Sequence, residues 1–219
     1  MKDLLREIRA DLAPYGAQLV AVSKTKPKEA VQEAYDLEQR IFGENRVQEM
    51  SAKHEDLAKD IQWHLIGSLQ RNKVKYIAPF VSLIHSVDEL KLLAEINKKA
   101  AQSNRTIDCL LQFHIAQEST KFGLKLNEAR ELLASDSFTE MKNVRIVGLM
   151  GMASFSDDHK QVSAEFRSLR MAFEELKSNF FPEEGSFKEL SMGMSGDYKI
   201  ALEEGSTLVR IGSRIFGSR

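Results

Sequence analysis

Residues 19–27 read L-V-A-V-S-K-T-K-P, and the fold follows from how this stretch begins and how it stops. Its first half is small and β-branched apolar, which suits a short strand buried on both faces of a parallel sheet. Pro27 cannot donate a ladder hydrogen bond and biases Lys26 toward an extended backbone, so Ser23, Lys24 and Thr25 are predicted at the strand's carboxyl end. Parallel α/β folds bind ligands at that end. A lysine placed there against an apolar wall is held toward its neutral form, in which the amine attacks a carbonyl. Lys24 is therefore the candidate Schiff-base residue, and the plain alternative is a solvated turn lysine.

The same strand-then-helix alternation recurs outward from this stretch. Before it, Leu4, Leu5, Ile8 and Leu12 repeat at helical spacing, giving an additional N-terminal helix that ends near Pro14 and Gly16. After it, strands are predicted at 41–43, 62–66, 82–85, 106–115, 144–150, 187–192 and 207–211. Helices are predicted between them at 28–37, from about 46 to 59, through the basic segment around Arg71–Lys73, from about 86 to 100 with Ser86 as cap, at 126–133, through Val162 to Leu176, and at 195–204. Alternation at this spacing implies a parallel sheet with right-handed crossovers. An open doubly wound sheet is the other arrangement, but eight short strands in 219 residues favour closure, which leaves no edge strand to protect. The expectation is a single-domain α/β protein over residues 1–219, a (β/α)8 TIM barrel with an extra N-terminal helix.

Composition narrows the function classes. With 31 basic and 32 acidic side chains and a formal net charge of -1, no basic excess points to nucleic acid or an anionic membrane surface. The charged, amphipathic start lacks the apolar run of a signal peptide, and no stretch approaches the roughly 20 apolar residues of a membrane span. Cys109 is the single cysteine, which leaves no internal disulfide and no cysteine-based metal cluster. A cytoplasmic protein is expected. No long exposed apolar helix demands a partner, so a monomer is the simplest arrangement.

In a barrel, the residues following each strand share one mouth: here Lys24, Asn45, His64, His85, His114, Met150, Ser191 and Arg210 with Gly212 and Ser213. The set holds no pair of carboxylates, which argues against glycosidase or two-metal hydrolysis, and no metal site is expected from its histidines. The segments L-S-M-G-M-S-G-D (190–197) and V-R-I-G-S-R-I-F-G (209–217) run through small residues into helices, at the strand positions where barrels hold phosphate. An amine and a phosphate cradle across one mouth are what an aldehyde-bearing phosphate requires, which makes pyridoxal 5'-phosphate (PLP) the leading ligand.

These segments, together with A-V-S-K-T-K-P (21–27), F-G-E-N-R-V-Q-E (42–49), W-H-L-I-G-S-L-Q-R-N-K (63–73) and H-S-V-D (85–88), resemble the pyridoxal phosphate homeostasis protein family, whose barrel is similar to that of fold-type III alanine racemases. The resemblance runs from about residue 19 to 217. It implies that Lys24 holds the cofactor as an internal aldimine, Asn45 lies beside the ring, Ser191, Gly212 and Ser213 hold the phosphate, and Arg210 faces the pyridine nitrogen. His114 and Phe122 depart from the family pattern, which expects an Asn-like and a small residue, and bear on the rim of the mouth.

A permanently protonated arginine at the ring nitrogen donates rather than accepts, which leaves the ring a poorer electron sink. Racemases of this type draw a second acid/base group from a further domain and a partner subunit, and the sequence stops at Arg219. The expectation is a PLP carrier or regulator in vitamin B6 homeostasis with negligible turnover and no catalytic residue, serving PLP-requiring apo-enzymes. The competing reading is a small PLP-dependent racemase or lyase with His64 or His114 as second base, and a third is a barrel used only as an interaction module.

Overall fold

The computed structural model describes residues 1–117 and 122–217. Eight parallel strands pair consecutively into a closed barrel: β1 Gln18–Val22, β2 Ile41–Glu44, β3 Gln62–Leu65, β4 Leu83–Val87, β5 Ile107–Phe113, β6 Val144–Gly151, β7 Glu189–Met194 and β8 Leu208–Ile211. The ring closes where β1 meets β8 in the register Leu19↔Val209, Val20↔Arg210 and Ala21↔Ile211. Around it lie α1 Lys2–Leu12, α2 Lys28–Asp36, α3 Val47–Asp56, α4 Val74–Ile77, α5 Leu90–Gln102, α6 Leu126–Ala134, α7 Asp136–Thr139, α8 His159–Phe180, α9 Tyr198–Glu203 and α10 Ser213–Phe216. The α/β barrel with an extra N-terminal helix is thus the architecture, and α1 seats Leu5, Ile8 and Leu12 on it.

The two-residue period of a strand sorts the core into two layers. On β1, Leu19 and Ala21 face the helices, whereas Val20 packs inside the barrel with Leu83, Leu110, Val147, Met150 and Leu208. The outer layer between strands and helices is larger. There α8 contributes Val162, Phe166, Leu169 and Leu176, all buried, which is the face its sequence period announces.

Two local expectations change, and one short helix is added. Ser86 does not cap α5: it remains within β4, sends its hydroxyl to the Gly67 carbonyl at 2.7 Å, and leaves Glu89 as the flanking residue. The segment between α6 and β6 contains the short helix α7, capped by the Ser135 hydroxyl accepting from the Phe138 N–H. Strand β7 starts two residues later than expected and extends to Met194, which moves its rim toward the carboxyl side.

Gly148 sits in β6 beside a register shift, with φ +153°. A Cβ there would lie 1.7 Å from the carbonyl oxygen of Glu189 on β7, so only glycine lets the two strands approach. Gly148→Ala is expected to cost about 2–3 kcal/mol, read as a lower urea midpoint at unchanged m-value. A wild-type midpoint would show that β6 and β7 tolerate separation.

Candidate functional site

Period-two counting along the strands also builds the site. On β1, Val20 is interior and Val22 lines the cavity at the carboxyl end of the barrel, so the next inward position is Lys24. On β8 the same steps give Leu208, Arg210 and Gly212. The cavity they share measures about 740 Å³, within the range of small-molecule sites, and Asn45, Ser195, Gly196 and Ser213 also line it. Lys24, Asn45, Arg210, Gly212 and Ser213 therefore line one cavity.

Lys24 is held on a constrained turn. The Lys26 N–H donates to the Ser23 carbonyl at 3.0 Å, closing a turn with Lys24 and Thr25 at its centre. Thr25 takes φ +64°, an uncommon conformation for a β-branched residue, and its N–H donates to the Glu49 carboxylate at 2.6 Å. Beneath the turn, Lys53 Nζ donates to the Ser23 carbonyl (2.8 Å), Glu44 Oε1 (2.7 Å) and Glu49 Oε1 (2.8 Å), and the Ser23 hydroxyl donates to Glu44 Oε1 at 2.6 Å. Glu44 is fully buried, and burial holds its carboxyl above the usual range against the pull of Lys53 and Ser23. None of these three charged residues was singled out by sequence reasoning. The available signal was the Glu49–Lys53 spacing of four on a helix.

Across the cavity, the loops after β7 and β8 meet. The Gly212 N–H lies 3.4 Å from Ser195 Oγ, and a Cβ on Gly212 would come within 2.8 Å of the Val22 carbonyl, so glycine allows β8 to turn against β1. A Cβ at Gly196 would meet nothing within 4 Å, which leaves that backbone open to the cavity.

Ser191 corrects an expectation. It does not reach the cavity: it is fully buried one layer below, level with Leu208, because β7 continues past it to Met194. Its hydroxyl and carbonyl instead receive Arg210 Nη1 at 2.5 and 2.9 Å, while Nη2 donates to the Gly151 carbonyl at 3.0 Å. Ser195, within the same glycine-serine motif, is the hydroxyl at the rim. Burial lowers the Arg210 pKa to about 10, so the guanidinium remains charged at neutral pH.

Two of the three histidines are likewise not mouth residues. His64 and His85 lie inside the barrel, joined Nδ1 to Nε2 at 3.0 Å, and His64 lines a separate pocket of about 450 Å³ at the opposite end. His114 follows β5 but does not line the cavity, whereas Phe122 stands exposed on its rim. Among the described residues no cluster of His, Cys, Asp or Glu could hold a metal. The remaining residues of the atypical loop, 118–121, lie outside the described residues.

Burial alone holds His64 at a pKa of about 3, and His85 well below its usual value, the latter also through the charges of His64 and Arg210. In an unfolded chain both would bind a proton near pH 6.5. Between that pH and the folded values the unfolded state binds more protons, so stability falls as pH falls, by about 1.4 kcal/mol per pH unit for each histidine. Glu44, with a raised pKa, acts in the opposite sense. Urea midpoints are therefore expected to drop between pH 6.5 and 5, and a flat profile there would mean that the pair protonates within the folded barrel.

The family model described as alanine racemase, N-terminal domain, matches residues 1–219. The pyridoxal phosphate homeostasis protein of Aquifex aeolicus is 41% identical over 204 residues, covering 93% of this chain and 87% of that protein. The protein of that name in Escherichia coli K12 is 35% identical over 215 residues, covering 96% and 89%. PipY of Synechococcus elongatus PCC7942, solved with PLP bound, superposes with a TM-score of 0.88 at 36% identity and 99% coverage of both chains. The alanine racemase of Bartonella henselae, at 14% identity and a TM-score of 0.71, shares the fold over 58% of its length. The chain belongs to the alanine racemase N-terminal domain family and, within it, to the pyridoxal phosphate homeostasis proteins.

Proposed function

We propose that this protein binds PLP in the 740 Å³ cavity, bonded through Lys24, and serves PLP homeostasis rather than turnover. One observation carries the reading: a lysine amine, a buried guanidinium and two open glycine-serine loops line a single cavity. The donor set fits the group. Hydroxyls and backbone N–H groups of Ser195, Gly196, Gly212 and Ser213 suit a phosphate, Lys24 suits an aldehyde, and Asn45 and Arg210 lie where a ring would rest between them. When bound, PLP supplies an aldehyde carbon that bonds amines and a ring that accepts electron density.

The chain's own residues then orient more than they react. Arg210, charged and anchored by three hydrogen bonds below the cavity, would donate to a ring nitrogen held there and supplies no readily lost proton. Among the described residues, the titratable side chains lining the cavity are Lys24, Asp157, Asp197 and Arg210. His64, the base invoked by the enzyme reading, serves the other end of the barrel, and His114 does not reach the cavity. What supports the carrier reading is that, among the described residues, neither histidine invoked as a second base lines the cavity, where Asp157 and Asp197 are the remaining acid/base groups beside Lys24 and Arg210. The cytosol is the proposed compartment, with PLP-requiring apo-enzymes as recipients and a monomer as the working unit. No helix among the described residues is long and apolar enough to cross a membrane.

The test is an absorbance scan of purified protein with PLP, followed by borohydride reduction and peptide mapping. A yellow band bleached by borohydride, with the mass increment on Lys24, supports the reading; an increment on Lys26 moves the site. Racemisation of alanine that is lost in Lys24→Ala would overturn the carrier assignment. Arg210→Ala is expected to weaken retention by about 1.5–3 kcal/mol, the scale of hydrogen bonds to a charged group, and to change the band. Equal affinity and spectrum would place Arg210 outside the ring's reach.

A further inference from the structure

We infer that His85 and Ser191 are positioning residues for Arg210, links in a hydrogen-bonded chain of single polarity that crosses the barrel from the PLP cavity to the lower pocket. The inference rests on the proposed function only for the role of Arg210 at the cavity; the chain itself stands on geometry. Arg210 Nη1 lies 2.5 Å from Ser191 Oγ, Ser191 Oγ lies 3.0 Å from His85 Nδ1, and His85 Nε2 lies 3.0 Å from His64 Nδ1. Ser191 and His85 are fully buried, so their side-chain polar atoms find their partners within the chain, while His64, nearly buried, ends it at the lower pocket.

Polarity follows from the one member that cannot reverse. A guanidinium only donates, so Ser191 Oγ accepts from Arg210. The serine proton then has His85 Nδ1 as its acceptor, because the opposite assignment would leave a buried O–H without one. With Nδ1 accepting, His85 carries its proton on Nε2 and donates it to His64 Nδ1. His64 in turn carries its proton on Nε2, the nitrogen not engaged with His85, and it is His64 that lines the lower pocket. Every link therefore turns its accepting side toward Arg210. The arrangement favours the buried positive charge and fixes the plane of the guanidinium, on which a hydrogen bond to a ring nitrogen would depend. Among the described residues, four charged side chains line the lower pocket: Asp108 and Arg145 pair with each other at 2.7 and 2.9 Å, Glu189 accepts from the Thr207 hydroxyl at 2.8 Å, and Lys188 is the fourth.

Nitrogen-15 NMR of histidine-labelled protein tests the polarity without any ligand. Both rings are expected as neutral Nε2–H tautomers, and Ser191→Ala should release His85 into a mixture. A proton on His85 Nδ1 in the wild type would overturn the chain. The positioning role is read from the PLP-loaded protein. Ser191→Ala and His85→Leu should shift the absorbance band in the same direction while the borohydride mass increment stays on Lys24. His85→Asn, which can return an acceptor near the Nδ1 position, should restore the wild-type band. Ser191→Ala removes a single oxygen and serves if His85→Leu does not fold. Wild-type bands in these variants would reduce His85 and Ser191 to packing. Absence of any adduct in the wild type would sink the proposed function, while the tautomer experiment would still decide the chain.

Discussion

Lys24→Ala is expected to abolish the borohydride-trapped PLP adduct completely while changing stability by no more than about 0.5 kcal/mol. The two halves of this expectation have separate causes. Loss of the adduct follows from chemistry: Lys24 is the one amine lining the cavity among the described residues, and alanine cannot bond an aldehyde. Preservation of the fold follows from position, since Lys24 is only half-buried and the turn around it is held by Ser23, Thr25 and Lys26 through backbone groups that alanine retains. Intact mass after reduction checks the first half and a urea melt the second. An adduct of undiminished yield in the variant would relocate the site, and collapse of the fold would make Lys24 a structural residue. Non-covalent PLP should still enter the variant weakly, because the phosphate loops and Arg210 are untouched.

How far the sequence could be read depended on which coordinate a residue's role required. Along the chain, the strand of residues 19–22 and its stop at Pro27 placed Lys24 correctly, because a proline and an apolar alternation act locally. Depth within the barrel was less accessible. Ser191 and Ser195 stand in one motif with the same inward parity, and only the end of β7 at Met194 decides which reaches the cavity. The same ambiguity drew His64 and His85 to the mouth: their parity was right, but strand stagger leaves them one or two layers down. Ser86 looked like a cap because the serine-to-glutamate spacing is a capping-box pattern, yet pairing with β5 carries β4 on to Val87. Long-range ion pairs were least legible. Nothing local says that Lys53, on a helix of mostly polar residues, turns inward to a glutamate at the end of β2.

That inward lysine carries the other large effect. Lys53→Ala is expected to destabilise the protein by about 3–5 kcal/mol at pH 7, because it leaves the fully buried Glu44 carboxylate without its countercharge. Glu44 would keep only the Ser23 hydroxyl, itself pinned to the same oxygen at 2.6 Å. The deficit should shrink as pH falls. Burial already holds the Glu44 carboxyl above its usual range in the wild type, and removing Lys53 raises it further, so protonation progressively relieves the isolated charge as pH falls. Adding Glu44→Gln to Lys53→Met should recover much of the loss, since a neutral, well-filled pair avoids the uncompensated charge. The functional consequence follows from the 2.8 Å bond between Lys53 Nζ and the Ser23 carbonyl, which fixes the turn presenting Lys24. Lys53→Ala measured at a pH where it is folded should therefore form the Lys24 adduct more slowly than the wild type. An unchanged rate would show that Glu49, through the Thr25 N–H, holds the turn by itself.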